Sequence, residues 1–267
     1  MGATRVIVTR PLREAGRWVD DLRAAGFDAV ALPLIAIEAA DDLAPLQSAW
    51  RALDRYTAVM CVSAAAVEEF FKQKEAAAPA SRARTAIDLI AVPRWWATGP
   101  GTARAMQRAG VPADRIDMPA PDATRFDSEA LWARVQTQVR PGARVLIVRG
   151  GDAAGHATGR DWLANEVAAA GGERDTVVAY RRLAPAFGDA ETQLASEGVA
   201  GRAVWLFSSS ESIGHLLRAM PGAQWSNARA VATHPRIAEA AQAAGFGTVC
   251  LSQPLGDALV ASIESLA

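Results

Sequence analysis

Val6–Pro11 reads VIVTRP, and Val145–Gly150 reads VLIVRG. Each is a short β-branched and aliphatic run that ends on a compact corner, the pattern of a strand buried on both faces. After the first, Leu12–Ala25 carries apolar residues on one helical face and stops at Gly26; after the second, Asp161–Ala170 does the same and stops at Gly171 and Gly172. The repetition continues outward. VMCVSAAAV (Val59–Val67) resembles WLFSSSESI (Trp205–Ile213), and TGPGTARAMQRAG (Thr98–Gly110) resembles THPRIAEAAQAAG (Thr233–Gly245). The three matched pieces keep their order at an offset of roughly 135–145 positions, about one domain length, which argues for an internal duplication.

Between these pieces, strand and helix patterns alternate. Strands are predicted at Ala58–Ser63, Asp88–Val92, Trp95–Thr98, Ala203–Ser208, Ala228–Thr233 and Thr248–Ser252. Helices are predicted from Ala64, at Thr102–Ala109, Glu211–Ala219 and Pro235–Ala244, and at the end from Leu255 to Leu266. This alternation predicts an α/β fold of parallel sheets with helices on both faces. Asp28–Ile37 and Asp175–Arg182 read as extended, and two apolar-rich segments there, Ala31–Ile37 and Thr176–Leu183, each lead from one α/β unit into another. The simplest arrangement has both crossing between two lobes as a paired ribbon. Residues 1–36 and 183–267 then form the first lobe and residues 37–182 the second. The crossing strands lie at about 31–38 and 176–184, with a cleft between the lobes and few contacts to restrain domain motion.

The 267 residues are 51% hydrophobic and 21% charged with a formal net charge of -1. That balance suits two ordinary globular domains and offers no broad attraction to nucleic acid or to an anionic membrane. Cys61 and Cys250 are far apart and lack metal-ligand spacing, so both are expected to be small buried residues in a reducing compartment. Met1–Arg10 runs straight into a strand pattern without an apolar leader, and no stretch is long enough to span a bilayer. The expectation is a cytoplasmic protein. The lack of a long heptad run favours a monomer.

Ligands of open parallel sheets lie outside the carboxyl ends of the strands. The loops predicted there are Thr9-Arg10-Pro11, Ser63-Ala64-Ala65-Ala66, Thr98-Gly99-Pro100-Gly101-Thr102, Arg149-Gly150-Gly151, Ser208-Ser209-Ser210 and Thr233-His234-Pro235-Arg236. They hold small residues and hydroxyls rather than clusters of Asp, Glu, His or Cys. Small residues let a ligand approach main-chain N–H groups, and several helix N-termini together suit a polyanion. Any single hydroxyl here also reads as an ordinary N-cap. Candidate binding residues are Thr9, Arg10, Ser63, Ala64, Ala65, Gly99, Thr102, Arg149, Gly150, Ser208, Ser209, Ser210, Thr233 and Arg236. There is no phosphate-loop motif and no GxSxG turn, and His156, His215 and His234 show no metal spacing. His215, mid-helix, reads as structural. Tyr180, in the crossing strand TVVAYRR, is one of two tyrosines; it reads either as a cleft-facing proton donor or as packing at the crossing.

The opening VTRP, the turns SAAAV and GPGTA, the AYRR strand, the FSSSESI turn and THPRIAEAAQAAG, in that order, resemble the uroporphyrinogen-III synthase family over nearly the whole chain. The resemblance implies two flavodoxin-like lobes joined by a two-strand β-ladder, and a lyase that needs no metal or organic cofactor. Its substrate would be hydroxymethylbilane, closed to uroporphyrinogen III with inversion of the last ring and loss of water, on the route to haem and related tetrapyrroles. The family's catalytic Tyr aligns with Tyr180, and its hydroxyl turns align with Ser63 and Ser208–Ser210. A Thr-Thr-Ala segment seen in parts of the family aligns with Arg236-Ile237-Ala238. Arg236 is therefore expected to face a carboxylate, while Thr102 keeps the hydroxyl in the other lobe. Two rival readings are a non-catalytic bilobed binder of an anionic small molecule and a flavodoxin-like FMN module.

Overall fold

The computed structural model describes residues 3–74, 76, 93–120, 123, 125–253 and 256–266. The predicted strand Asp88–Val92 lies outside them. The chain divides into two compact units, Met1–Ala36 with Leu183–Ala267, and Ile37–Arg182.

The first unit is built on a five-stranded sheet of β1 (Arg5–Val8), β2 (Asp28–Ala31), β9 (Val204–Phe207), β10 (Arg229–Ala232) and β11 (Thr248–Leu251), in the spatial order β11-β10-β9-β1-β2. All its pairings are parallel. The second unit has a six-stranded sheet of β3 (Ala36–Ala39), β4 (Ala58–Cys61), β5 (Arg94–Ala97), β6 (Ile116–Asp117), β7 (Arg144–Gly151) and β8 (Glu173–Leu183), in the order β3-β8-β7-β4-β5-β6. The two sheets share one plan: β1, β9 and β10 hold the slots that β7, β4 and β5 hold in the other. These are the three matched pieces of the sequence repeat. The first sheet follows the flavodoxin-like order 2-1-3-4-5; the second has the same spatial slots, but β4, β5 and β6 precede β7 and β8 in the chain.

Alternate residues explain the burial. In β1 and β9, Ile7, Trp205 and Phe207 join one core, while Val6, Val8, Val204 and Leu206 join another on the opposite face. In β4 and β7, Val59, Cys61, Leu146 and Val148 point one way, and Ala58, Met60, Val145 and Ile147 the other. Both faces of each sheet are therefore apolar, as a parallel sheet covered by helices requires. Helix α1 (Leu12–Ala24) buries Ala15, Val19 and Leu22 at helical spacing, and Gly26, at φ +93°, takes the left-handed turn that ends it.

Several boundaries differ from the sequence reading. Asp28–Ile37 is two strands rather than one, because Leu32-Pro33-Leu34-Ile35 leaves the ladder between β2 and β3. Pro33 has no N–H to donate, and Leu32, Leu34 and Ile35 are buried instead. The chain passes between units at Ala36/Ile37 and Arg182/Leu183, in strands β3 and β8, which neighbour each other in the six-stranded sheet. Among the described residues three helices were not anticipated: α2 (Ala44–Arg51), α5 (Ser128–Val135) and α7 (Asp189–Val199). Two of their start signals are local. Asp127 accepts from the Ala130 N–H, and Glu191 accepts from the Gly188 N–H. The helices α3 (Ala64–Phe71), α4 (Pro100–Arg108), α6 (Trp162–Ala169), α8 (Ser210–Ala219), α9 (Pro235–Ala243) and α10 (Asp257–Glu264) lie close to the predicted ones. Helix α4 starts two residues early, since Pro100 suits the first helical turn.

Cys61 is fully buried, and burial pushes its thiol pKa well above the usual range. Cys250 corrects the expectation of a buried residue: it is only partly covered, because β11 is the edge strand. His215 is buried, and its Nδ1 donates to the Leu34 carbonyl at 2.6 Å, so it is a structural group, as its mid-helix place predicts. Among the described residues no group of His, Cys, Asp and Glu could hold a metal, and no helix is long and apolar enough to cross a membrane.

Candidate functional site

In each unit the turns singled out in the sequence fall at the carboxyl ends of three adjacent strands: β10, β9 and β1 in the first, β5, β4 and β7 in the second. Their side chains do not share one fate.

In the second unit, Tyr180 Oη lies 3.1 Å from Ser63 Oγ. The two residues come from strands that are not neighbours: Ser63 follows β4, Tyr180 is in β8, and β7 runs between them. The phenol ring crosses β7 at Gly150. A Cβ built on Gly150 would sit 2.5 Å from Tyr180 Cζ and 2.9 Å from its Oη. Only a residue without a side chain leaves room for that crossing.

A register shift brings the ring to this face. Arg149 pairs with Val178 but Gly150 pairs with Tyr180, so Ala179 is an extra residue in β8. Strict alternation would set Tyr180 opposite Val177 and Ala179. All three instead belong to the core under α3. A β-bulge that re-aims a side chain accounts for this. The backbone is held there by Thr158, whose N–H and hydroxyl both donate to the Gly150 carbonyl, at 3.0 and 3.2 Å. Tyr180 is 4% exposed, and it belongs to the apolar core that α3 covers.

Ser63 is the N-cap of α3, and its Oγ accepts from the Ala66 N–H at 3.1 Å. Ala64 and Ala65, in the first turn, are partly exposed small residues. Gly99 is the N-cap of α4 and packs on Phe126, whose Cβ would lie 3.2 Å from an added Cβ. The next turn hydroxyl, Thr98, donates to the Val62 carbonyl at 3.1 Å.

Three predicted binding residues are built into the scaffold instead. Thr9 is fully buried, and its hydroxyl donates to the Leu206 carbonyl at 2.8 Å, tying β1 to β9. Thr102 is buried in α4 beside Ala103, Ala105 and Met106, so it does not present its hydroxyl at an open turn as expected. Arg149 is 5% exposed, and its guanidinium donates to Asp161 at 2.6 Å and to the Arg160 carbonyl at 3.3 Å. A buried charge requires such a partner, and Arg149 finds it in Asp161, within its own unit. Arg10 is partly exposed but pairs with Glu14 and lies over the Trp18 ring at 4.8 Å.

The first unit keeps a freer set. Ser208, Ser209 and Ser210 are partly exposed where β9 gives way to α8, and Ser209, at the N-cap, makes no side-chain cap bond. Thr233 is partly exposed after β10. Arg236 is exposed in the first turn of α9, where His234 Nδ1 accepts from the Arg236 N–H at 3.2 Å. The sequence reading missed the cap role of His234 and the support given by Thr158 and Asp161. The Gly150-Gly151 pair inside a strand was the available signal of close backbone approach.

Tyr56 makes a contrast with Tyr180. It sits at the amino end of the same sheet, where its hydroxyl donates to Asp175 at 2.8 Å and Arg144 donates to the same carboxylate oxygen at 2.7 Å. Burial and then the Asp175 hydrogen bond push its pKa up to about 12. The unfolded phenol titrates near 10, so from about pH 10 the unfolded chain loses a proton that the folded one keeps. Stability should therefore be intact below about pH 10 and fall as pH rises towards about 12. Thermal unfolding across this window should show that loss reduced in Tyr56→Phe; equal loss in both proteins would contradict it.

A sequence model of the family described as "Uroporphyrinogen-III synthase HemD" matches residues 16–261. The fold is shared with a mutant uroporphyrinogen III synthase from the extreme thermophile Thermus thermophilus, at 18% identity and a TM-score of 0.56, with 99% of each chain covered. It is also shared with a uroporphyrinogen-III synthetase from Helicobacter pylori, at 14% identity and a TM-score of 0.63, with 100% of each chain covered. With a match that runs through both units, the chain belongs to the uroporphyrinogen-III synthase family.

Proposed function

We propose that this chain performs the family's cyclisation of hydroxymethylbilane to uroporphyrinogen III, with Tyr180 as the acid that lets the hydroxymethyl oxygen leave as water. The observation that carries the role of Tyr180 is its hydroxyl, held 3.1 Å from Ser63 at the carboxyl end of the second unit's sheet. A phenol is protonated at neutral pH and can give its proton to a leaving oxygen. Loss of water leaves an electron-poor azafulvene. Attack on it by the substituted carbon of the last pyrrole gives a spiro intermediate, which fragments and recloses with that ring inverted. The pyrroles supply the electron push; the protein holds one conformer and prevents closure without inversion.

Support for binding a many-carboxylate substrate comes from Ser208–Ser210 at the start of α8, where the N-cap residue makes no side-chain bond, and from exposed Arg236 at the start of α9. The proposal also takes the chain to be a cytoplasmic monomer, from the composition and patterning of the sequence.

The test is a mixing experiment. Freshly generated hydroxymethylbilane is incubated with and without the protein, and the cyclised products are separated into isomers I and III. Isomer III in proportion to protein is expected. Isomer I alone, at the rate of the protein-free control, would leave the chain a binding protein.

A further inference from the structure

We propose that Ser63 is a positioning residue that donates its hydroxyl proton to Tyr180 and so keeps the phenol's own proton free for the substrate. The inference rests on the acid role of Tyr180 proposed above.

A serine hydroxyl has one proton and two acceptor sites. The Ala66 N–H, one of the donors that α3 leaves without an intrahelical partner, occupies one acceptor site of Ser63 at 3.1 Å. The 3.1 Å contact with Tyr180 can then run either way. If Tyr180 donates, its only proton is engaged within the protein, and that bond must break before the phenol can act on a leaving group. If Ser63 donates, the phenol oxygen is held from one side while its proton points elsewhere. Two features favour the second direction. An amide that donates to Ser63 Oγ polarises the serine O–H and makes it a better donor. The bond from Ser63 also strengthens as the phenol oxygen becomes anionic, which places its greatest effect in the transition state.

The proton inventory closes. The Tyr180 O–H breaks and its proton joins the hydroxymethyl oxygen. The C–O bond breaks and water leaves. The pyrrole carbon that forms the closing bond later loses a proton as its ring regains aromaticity, and that proton restores the phenol. Ser63 keeps its own proton throughout.

Ser63→Asp separates the two duties of the residue. A carboxylate still accepts from Ala66 at the N-cap, but it cannot donate to Tyr180. The Asp variant should keep its melting temperature near that of the wild type and lose about tenfold or more of single-turnover isomer III formation. Ser63→Thr, which both caps and donates, should recover most of that rate. Ser63→Ala should be slow with Tyr180 present, yet change the rate less than twofold in a Tyr180→Phe background. An equal loss from Ser63→Ala in both backgrounds, or wild-type turnover in Ser63→Asp, would overturn the proposal. Wild-type turnover in Tyr180→Phe alone would sink the acid role itself, and with it this inference; a slow Tyr180→Phe with equal Ser63→Ala losses defeats only the positioning claim.

Discussion

Tyr180→Phe should lower kcat for isomer III severalfold at the least, and by about a hundredfold if the phenol supplies the full benefit usual for a general acid. KM should stay within about twofold, because the change removes one oxygen and keeps the ring that fills the space over Gly150. The fold should survive. Ser63 Oγ loses one partner but retains the Ala66 amide, so no buried donor of the backbone is stranded. Steady-state kinetics with thermal unfolding on the same sample checks both halves. A Phe variant with the wild-type kcat would remove Tyr180 from the chemistry, and one with an unchanged kcat and a raised KM would make it a binding residue.

Gly150→Ala should be at least as damaging, and for a different reason. The new methyl would lie 2.5 Å from Tyr180 Cζ, 2.6 Å from Cε2 and 2.9 Å from Oη, far inside contact distance. The ring is buried in the core under α3, so it cannot swing into solvent to relieve the clash. Either the ring moves or the β7–β8 ladder does, and both carry the hydroxyl away from Ser63. Overpacking of this kind costs about 1–3 kcal/mol. The expected result is a lower melting temperature together with a kcat no better than that of Tyr180→Phe. A Tyr180→Ala background supplies the control, since there the added methyl no longer meets a ring and the stability loss from Gly150→Ala should shrink. A Gly150→Ala protein with wild-type turnover would mean that the crossing geometry is irrelevant to activity.

Much of the architecture was legible because its signals are local and repeated. VIVTRP and VLIVRG announce β1 and β7, and the paired turns announce β4 with β9 and β5 with β10. The same slots in two sheets follow from the same pieces of sequence. What escaped was decided by context. Thr9, Thr102 and Arg149 look like open-turn ligands by position, but the first donates to Leu206, the second packs in α4, and the third is held by Asp161, a partner 12 residues on. No periodicity reports which hydroxyl will find a carbonyl. The aim of Tyr180 is the sharpest case. Alternation along β8 sets it on the face of Val178, and only the register shift at Arg149/Gly150 turns it towards Ser63. A bulge of one residue leaves composition and hydrophobic pattern unchanged, although two adjacent glycines mark its place.

The proton on Tyr180 is what the account depends on, and the pH dependence of single-turnover isomer III formation reads it most directly. The comparison is made in a Tyr56→Phe background, which leaves Tyr180 as the only phenol of the chain. An acid must carry its proton to act, so the rate should fall at alkaline pH, where a general acid is stripped of it. That descending limb should be missing from the slower Tyr180→Phe protein. The same limb in both proteins would contradict the account.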